Sequence, residues 1–357
     1  MKKRFARFKS GWSLNRIFHD VTGALFAPLL ISLPVWADAQ PIQTLTIMEY
    51  RAHLNSDQPT VRGMIKFADL VSEGSNGRLA VTVSGATVPG SPEDQIKALQ
   101  EGGPHAPDMM LLVTPALRHV EPEFEIMDLP FVVHSDRQAH ELLDGPVGRE
   151  LMSRLESHGL VGLAWWENGF RQITTSGKSF IHATDLTDRP VRVIPEPAFV
   201  ETFKALGATV VSLPYPQLYQ ALKSGRAEAQ DNFASQILVG HLYDVQSTMT
   251  VTNHSYSAIA VVANSAVWRR LSVRDRNVLQ HAAIEAGRYE RDLIREQAKT
   301  DSAELAHHGM TVHSLSPTEL ARMEAMTEPV RQQFFRSYDP KILDLYRHQI
   351  GTRWITR

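Results

Sequence analysis

Between Leu45 and Val113 the spacing of apolar positions changes period several times. From Leu45 to Tyr50 apolar residues alternate with Thr46 and Glu49 after Thr44, the pattern of a strand with one buried face. From Gln58 to Ser72 they recur at Val61, Ile65, Ala68 and Val71, which predicts a helix. Asn76-Gly77 breaks the helix, and Leu79 to Val83 alternates again. Strand, helix and strand in this order argue for a parallel sheet with crossover helices. Ser91 then caps a helix carrying Ile96, Ala98 and Leu99, with Pro92 in the first helical position and Glu93 and Asp94 in the first turn. Its free N–H groups face a ligand, or it is an ordinary capped surface helix. Met109 to Val113 is a compact apolar run that suits a strand covered on both faces.

A helical segment from Ala139 to His158 is interrupted at Gly145-Pro146. Leu160 to Glu167 reads as the next strand. Its adjacent Trp165 and Trp166 point to opposite faces, one expected in the core and the other toward a cleft. Arg171–Thr175, Val191–Ile194 and Val210–Leu213 read as strands of a second domain, and Ala229–Phe233 as a strand or loop. Helices are predicted from Pro197 to Leu206 and from Gln217 to Ser224, each closed by a glycine. Met249–Thr252 and Ser257–Val262 read as strands returning to the first domain. Ser272 to His308 is a single helical pattern with no proline and one glycine, Gly287. At ~1.5 Å per residue it is long enough to span two domains. Pro317 to Ile355 reads as helical and polar-faced.

Two arginines stand out. Arg171 and Arg192 fall on segments that read as short strands, and Val191 and Val193 around Arg192 want a buried face. A guanidinium there must find an anion or water, and its planar fork matches a carboxylate bidentately. Pro190 and Pro195 bracket Arg192, so its strand is short and ends near a loop. In open α/β sheets ligands bind beyond the carboxyl ends of strands. The plain alternative for either arginine is a structural ion pair. Asn232, in Gln230-Asp231-Asn232, has an amide able to donate and accept. Tyr215, Glu93 and Asn168 are further candidates.

The stretch from Asn168 to Asn232 resembles the DctP-type solute-binding receptors of TRAP transporters. Gly169, Arg171, Thr174 and Thr175 match the family's G-x-R-x-x-T-[TS]. Asp185-Leu186 and Arg192-Val193 match D-L-K-G-x-K-x-R-V. Gly207-Ala208, then Tyr219, Ala221, Leu222 and Gly225, then Asp231 and Asn232 follow in order. Asp128-Leu129-Pro130-Phe131 resembles another typical stretch. Asp188, Pro190, Gln217, Ala229 and Phe233 depart from the pattern and leave the ligand's identity open. The resemblance implies an α/β, two-lobed periplasmic binding protein fold with a central cleft, crossing hinge strands and a long helix spanning both lobes. It places residues 40–168 with about 257–285 in lobe I, and 169–256 with about 286–357 in lobe II. It implies that Arg192 pairs with a ligand carboxylate, that Arg171 and Asn232 assist, and that Tyr215, Glu93 and Asn168 line the cleft. The implied partners are a small organic acid and the integral membrane subunits of a TRAP transporter. A monomer without cofactor or catalysis is expected.

Charge and composition narrow this picture. The 357 residues suffice for two domains. The formal net charge of −2 gives no reason to expect a nucleic-acid partner. With no cysteine the chain has no disulfide, thiolate metal site or cysteine nucleophile. Its fifteen histidines are scattered without metal-ligand spacing, so no metal is expected. Ser176-Gly177-Lys178-Ser179 lacks the earlier glycine of a phosphate loop, since position 172 is Gln172. Residues 1–39 read as a signal peptide: a basic lead, an apolar run from Val21 to Val35, and small residues for cleavage after Ala37 or Ala39. The mature protein is therefore expected in the periplasm. Two other readings use the same arginine clamp, an exported enzyme acting on an organic or sugar acid and a sensor feeding a signalling partner.

Overall fold

The computed structural model describes residues 42–51 and 57–350; the expected signal peptide lies outside them. The strands are β1 (Gln43–Glu49), β2 (Leu79–Val83), β3 (Met109–Val113), β4 (Leu160–Phe170), β5 (Gln172–Thr175), β6 (Pro190–Val193), β7 (Thr209–Ser212), β8 (Ala229–Asn232), β9 (Thr248–Val251), β10 (Tyr256–Asn264) and β11 (Thr311–Ser314). They form two sheets, in the orders β2-β1-β3-β10-β4 and β11-β9-β5-β8-β6-β7. In the first, β1 runs parallel to β2 and β3, and β10 is antiparallel to β3 and β4. In the second, β6 runs parallel to β7 and β8, and β5 is antiparallel to β8 and β9.

The periodicities explain these elements. The helix Pro59–Gly74 buries Val61, Met64, Phe67 and Val71, one stripe at three- and four-residue intervals, beside the first sheet. Met109 to Leu112 of β3 are buried on both faces, Met110 and Leu112 in one apolar cluster and Met109 and Leu111 in another. The helix Pro92–Glu101 begins with a capping box: Ser91 Oγ accepts from the Asp94 amide, and Asp94 accepts from the Ser91 amide.

The chain passes between the sheets at two strand crossings. β4 continues through Arg171 into β5, and β9 continues through residues 252–255 into β10. The Arg171 amide donates to the Ser255 carbonyl at 2.9 Å and ties the crossings together. The 35-residue helix Val273–His307 is a third link. It packs on Pro59–Gly74 and β4 near its start, and on the helix Ala234–Val239 and β11 near its end. At ~1.5 Å per residue it runs about 52 Å.

Trp166 anchors that helix. It is fully buried, and its indole N–H donates to the Ala283 carbonyl at 3.0 Å. A Cβ on Gly287 would lie 2.7 Å from the indole Cδ1, and one on Gly63 2.7 Å from Cζ3. The lone glycine of the long helix is thus the notch into which the indole fits.

Four expectations need correction. The strand near Met249 stays in the second sheet beside β5 and β11, and only β10 returns to the first. Neither tryptophan is exposed. Trp165 is also buried, in a separate apolar cluster from Trp166, and its N–H donates to the Gly148 carbonyl. Arg171 lies between β4 and β5 instead of on a strand. The C-terminal segment is two helices, Pro317–Ser337 and Pro340–Ile350. The first buries Met323, Val330 and Phe335, so it is amphipathic and not merely polar-faced. Strand β11 was not foreseen; its four residues Thr-Val-His-Ser give no period to read.

Filling the notch should overpack this contact. Gly287→Val is expected to lose about 1–3 kcal/mol, measured by thermal or urea unfolding. Gly85→Ala, where a Cβ meets open space, serves as the neutral control. Equal stability of the two variants would mean that the indole has room to move.

Candidate functional site

The register of the second sheet brings the candidate residues to one edge. Gln172 at the start of β5 pairs with Asn232 at the end of β8, and Arg192 in β6 pairs with Gln230. Arg171 precedes β5, Asn232 ends β8, and Tyr215 follows β7. The carboxyl ends of the parallel strands β6, β7 and β8 therefore open onto the same space, where ligands of α/β sheets sit. On the first sheet Tyr50 and Arg51 follow the carboxyl end of β1. The two edges face each other closely enough that Tyr50 feels the charge of Arg171, and Tyr215 feels the charges of Arg51 and Arg192.

The two arginines differ sharply in their partners. Arg171 Nε donates to Asp231 Oδ2 at 2.5 Å, and its Nη2 donates to the Asp231 carbonyl at 2.8 Å. The guanidinium lies over the rings of Phe199 and Phe233 at 4.9 and 4.8 Å. Burial pushes the Asp231 carboxyl up, but the charge and hydrogen bond of Arg171, with the nearby His254 imidazole, outweigh it and hold it well below the usual range. Arg171 is thus already neutralised.

Arg192 is 0% exposed. Its Nε donates to the Leu213 carbonyl at 2.9 Å, and no protein group reaches Nη1 or Nη2, although both are buried. Burial pulls the guanidinium down to about 10, opposed by Asp231 and reinforced by Arg171. Even so it stays charged at neutral pH. A buried cation with two bare donors is costly. A carboxylate accepting both would satisfy them in the fork geometry that arginine provides.

The remaining candidates divide. Asn232 is buried, and its Oδ1 accepts from the Phe233 amide at 3.1 Å. Tyr215 is 42% exposed, so it is not core. Asn168 donates from Nδ2 to the Tyr50 hydroxyl at 3.1 Å and so joins the edge of the first sheet. Glu93 stands apart in a different cluster. It pairs with His119 Nδ1 at 3.0 Å, and His119 Nε2 lies 3.3 Å from Glu196. Glu196 also pairs with Arg118 at 3.4 Å, and Glu125 accepts from the Ala198 amide at 2.8 Å.

Several contributors were not singled out from sequence. Asp231 was part of a motif but not assigned to Arg171. Arg51 pairs through Nε with Glu49, which is fully buried and also accepts from Thr60 at 2.8 Å. Phe199 and Phe233 sandwich Arg171. Phe233 was visible only as a departure from the family pattern.

A cavity of about 670 Å³ lies elsewhere, between the crossing strands and the long helix. Asn168 and Phe233 line it but Arg192 does not. Its charged groups are largely paired among themselves, Asp292 with Arg295 and Glu296 with Lys299. The bare guanidinium therefore marks the better candidate site. Among the described residues no cluster of three or more His, Asp or Glu suits a metal ion. No helix among them is long and apolar enough to cross a membrane.

Comparison with known proteins gives the context. Residues 51–337 match the model of the bacterial extracellular solute-binding proteins of family 7, DctP. The C4-dicarboxylate-binding periplasmic protein DctP of Rhodobacter capsulatus is 28% identical over 89% of this chain and 93% of its own length. A TRAP periplasmic solute-binding protein from Ochrobactrum anthropi, whose C-terminus occupies its ligand-binding pocket, is 34% identical. It superposes with a TM-score of 0.80, covering 86% of this chain and 94% of that one. The sugar-acid-binding protein DctPAm of Advenella mimigardefordensis, in complex with galactonate, is 27% identical. Its TM-score is 0.77, with 86% of this chain and 99% of that one covered.

The contrast between the arginines predicts opposite stabilities. Arg171→Met strands a buried Asp231 carboxylate and should cost about 3–5 kcal/mol. Arg192→Met removes an unpaired buried cation, and its thermal midpoint without ligand should fall far less or rise. Equal losses would make Arg192 a structural cation. A second consequence concerns acid. Asp231 has a depressed folded pKa, so its stabilisation is present above the ordinary carboxyl range of ~4 and is lost as pH falls through its folded value. Asp231→Asn should therefore be less stable at pH 7, and the gap to the wild type should narrow in unfolding curves recorded at pH 3.

Proposed function

The chain belongs to the bacterial extracellular solute-binding proteins of family 7, and from that premise we propose that it captures a small organic acid in the cleft between two lobes and delivers it to a TRAP-type membrane transporter. The similar proteins are periplasmic receptors for organic and sugar acids, and we place this chain in the periplasm with them. Lobe I is assigned to residues 40–168 with about 257–285, and lobe II to 169–256 with about 286–357.

The observation that carries the mechanism is the pair of bare, buried nitrogens on Arg192. The ligand carboxylate lands on them bidentately. Arg171 holds Asp231 and Asn232 at the sheet edge by its ion pair and so positions the site. Asn232, Tyr215 and Asn168 supply polar contacts to the rest of the ligand. Tyr215 stands on the second-sheet side and the pair Tyr50–Arg51 on the first, so the lobes close with these residues facing across the ligand. Hinge closure of this kind is how periplasmic binding proteins report occupancy, and the closed form is what the membrane subunits recognise. Glu93, held by His119, contributes at the rim and not to the carboxylate.

The test is thermal unfolding of the mature chain against a panel of organic and sugar acids, with the ligand analysed afterwards. An acid at 100 times its dissociation constant should add about 2.7 kcal/mol, and it should be recovered unchanged. Arg192→Met should abolish the shift. A variant that keeps the full shift would refute the carboxylate clamp, and chemical conversion of the acid would point to the enzyme reading.

A further inference from the structure

We infer that the cleft selects singly charged acids with neutral hydroxylated tails over dicarboxylates, because among the described residues only one of the cations facing it lacks a counter-charge. This rests on the carboxylate-receptor reading above and goes on to the charge that the ligand must bring.

The count is made over the described ionisable groups at the two facing edges. Arg171 is cancelled by Asp231, which it contacts through both side-chain and backbone oxygens. Arg51 is cancelled by Glu49, which is itself fully buried. Tyr50 and Tyr215 carry no charge at neutral pH, since burial raises both phenols. His254 lies inside the same network, with Nδ1 at 2.8 Å from Thr252 and Nε2 at 3.6 Å from Asp231. Asp128 is buried, and burial raises its carboxyl well above the usual range, which weakens it as a counter-charge. One positive charge remains, on Arg192, with two donors free.

A first carboxylate satisfies both donors and neutralises that charge. A second carboxylate on the same ligand would be enclosed by Asn232, Asn168 and Tyr215, which offer hydrogen bonds but no charge. An ion buried without a counter-ion either weakens binding or takes up a proton to become neutral. A hydroxyl in the same place suffers no such penalty, because an amide or phenol can satisfy it. Charge alone thus separates two acids of the same carbon skeleton.

Such pairs exist: erythronate and meso-tartrate, or galactonate and galactarate, differ only in a terminal CH₂OH exchanged for a carboxylate. Calorimetric titration of the mature protein with both pairs at pH 7, in two buffers of different ionisation enthalpy, reads affinity and proton uptake together. The hydroxy monoacid of at least one pair is expected to bind roughly 100-fold or more tightly than its diacid. Any measurable diacid binding should take up close to one proton. Asp231→Asn, which frees Arg171, should narrow the gap within a pair by at least tenfold. If that variant does not fold, the proton uptake of the wild type decides alone. A diacid that binds as tightly as its monoacid with no proton taken up overturns the charge count and leaves the receptor standing. If neither these acids nor a wider panel of mono- and dicarboxylates binds, the carboxylate reading fails and this inference fails with it.

Discussion

The buried ion pair between Arg171 and Asp231 is the interaction on which the site depends. Arg171 sits where the chain leaves the first sheet for the second, and its backbone amide bonds to the other crossing at Ser255. Its side chain reaches the end of β8 and holds Asp231 there, its own guanidinium lying over two phenyl rings. This single residue therefore joins both hinge crossings to the strand that presents Asn232. It also bears on the electrostatics, because it holds the Asp231 carboxylate, whose charge Arg192 also feels. Two arginines at similar depth thus differ in their partners: one is held in a buried ion pair, the other keeps two donors that no protein group meets.

Much of the fold was legible because it is written in periods. Pro59–Gly74, β3, and the break at Gly145-Pro146 follow from apolar spacing and chain punctuation. The long helix was legible from the absence of proline over its length. What stayed hidden was tertiary. Whether Trp165 or Trp166 faces a cleft depends on what covers each face of β4, and helices cover both. The membership of β9 in one sheet or the other turns on its neighbours, which a four-residue strand does not encode. β11 has too few residues to show any period at all.

The site was legible in its residue types and not in its pairings. Arg192 was singled out because two valines and two prolines surround it, and the structure leaves it buried and bare. Arg171 carried the same signal, yet its counter-ion is sixty residues away in sequence, and only the antiparallel register of β5 and β8 brings them together. Glu93 had a capped helix start in its favour, but His119 and Glu196 draw it into a separate ionic cluster. Tyr215 balanced between core and surface until the turn after β7 placed it at the edge. The resemblance to a family supplied the order of motifs, while the partners of each side chain came from three-dimensional packing.

The bare guanidinium of Arg192 has a bearing on how the protein lives between ligands. On the proposed clamp, a buried guanidinium with two unmet donors is costly, so chloride, acetate or another small anion will compete with the organic acid for it. Recognition is then an exchange of anions rather than the filling of a void. The apparent affinity for any acid will fall as competing salt rises, even though the contact itself is sheltered from bulk screening. The ionic composition of its surroundings becomes part of the receptor's selectivity, setting the threshold above which a nutrient is noticed.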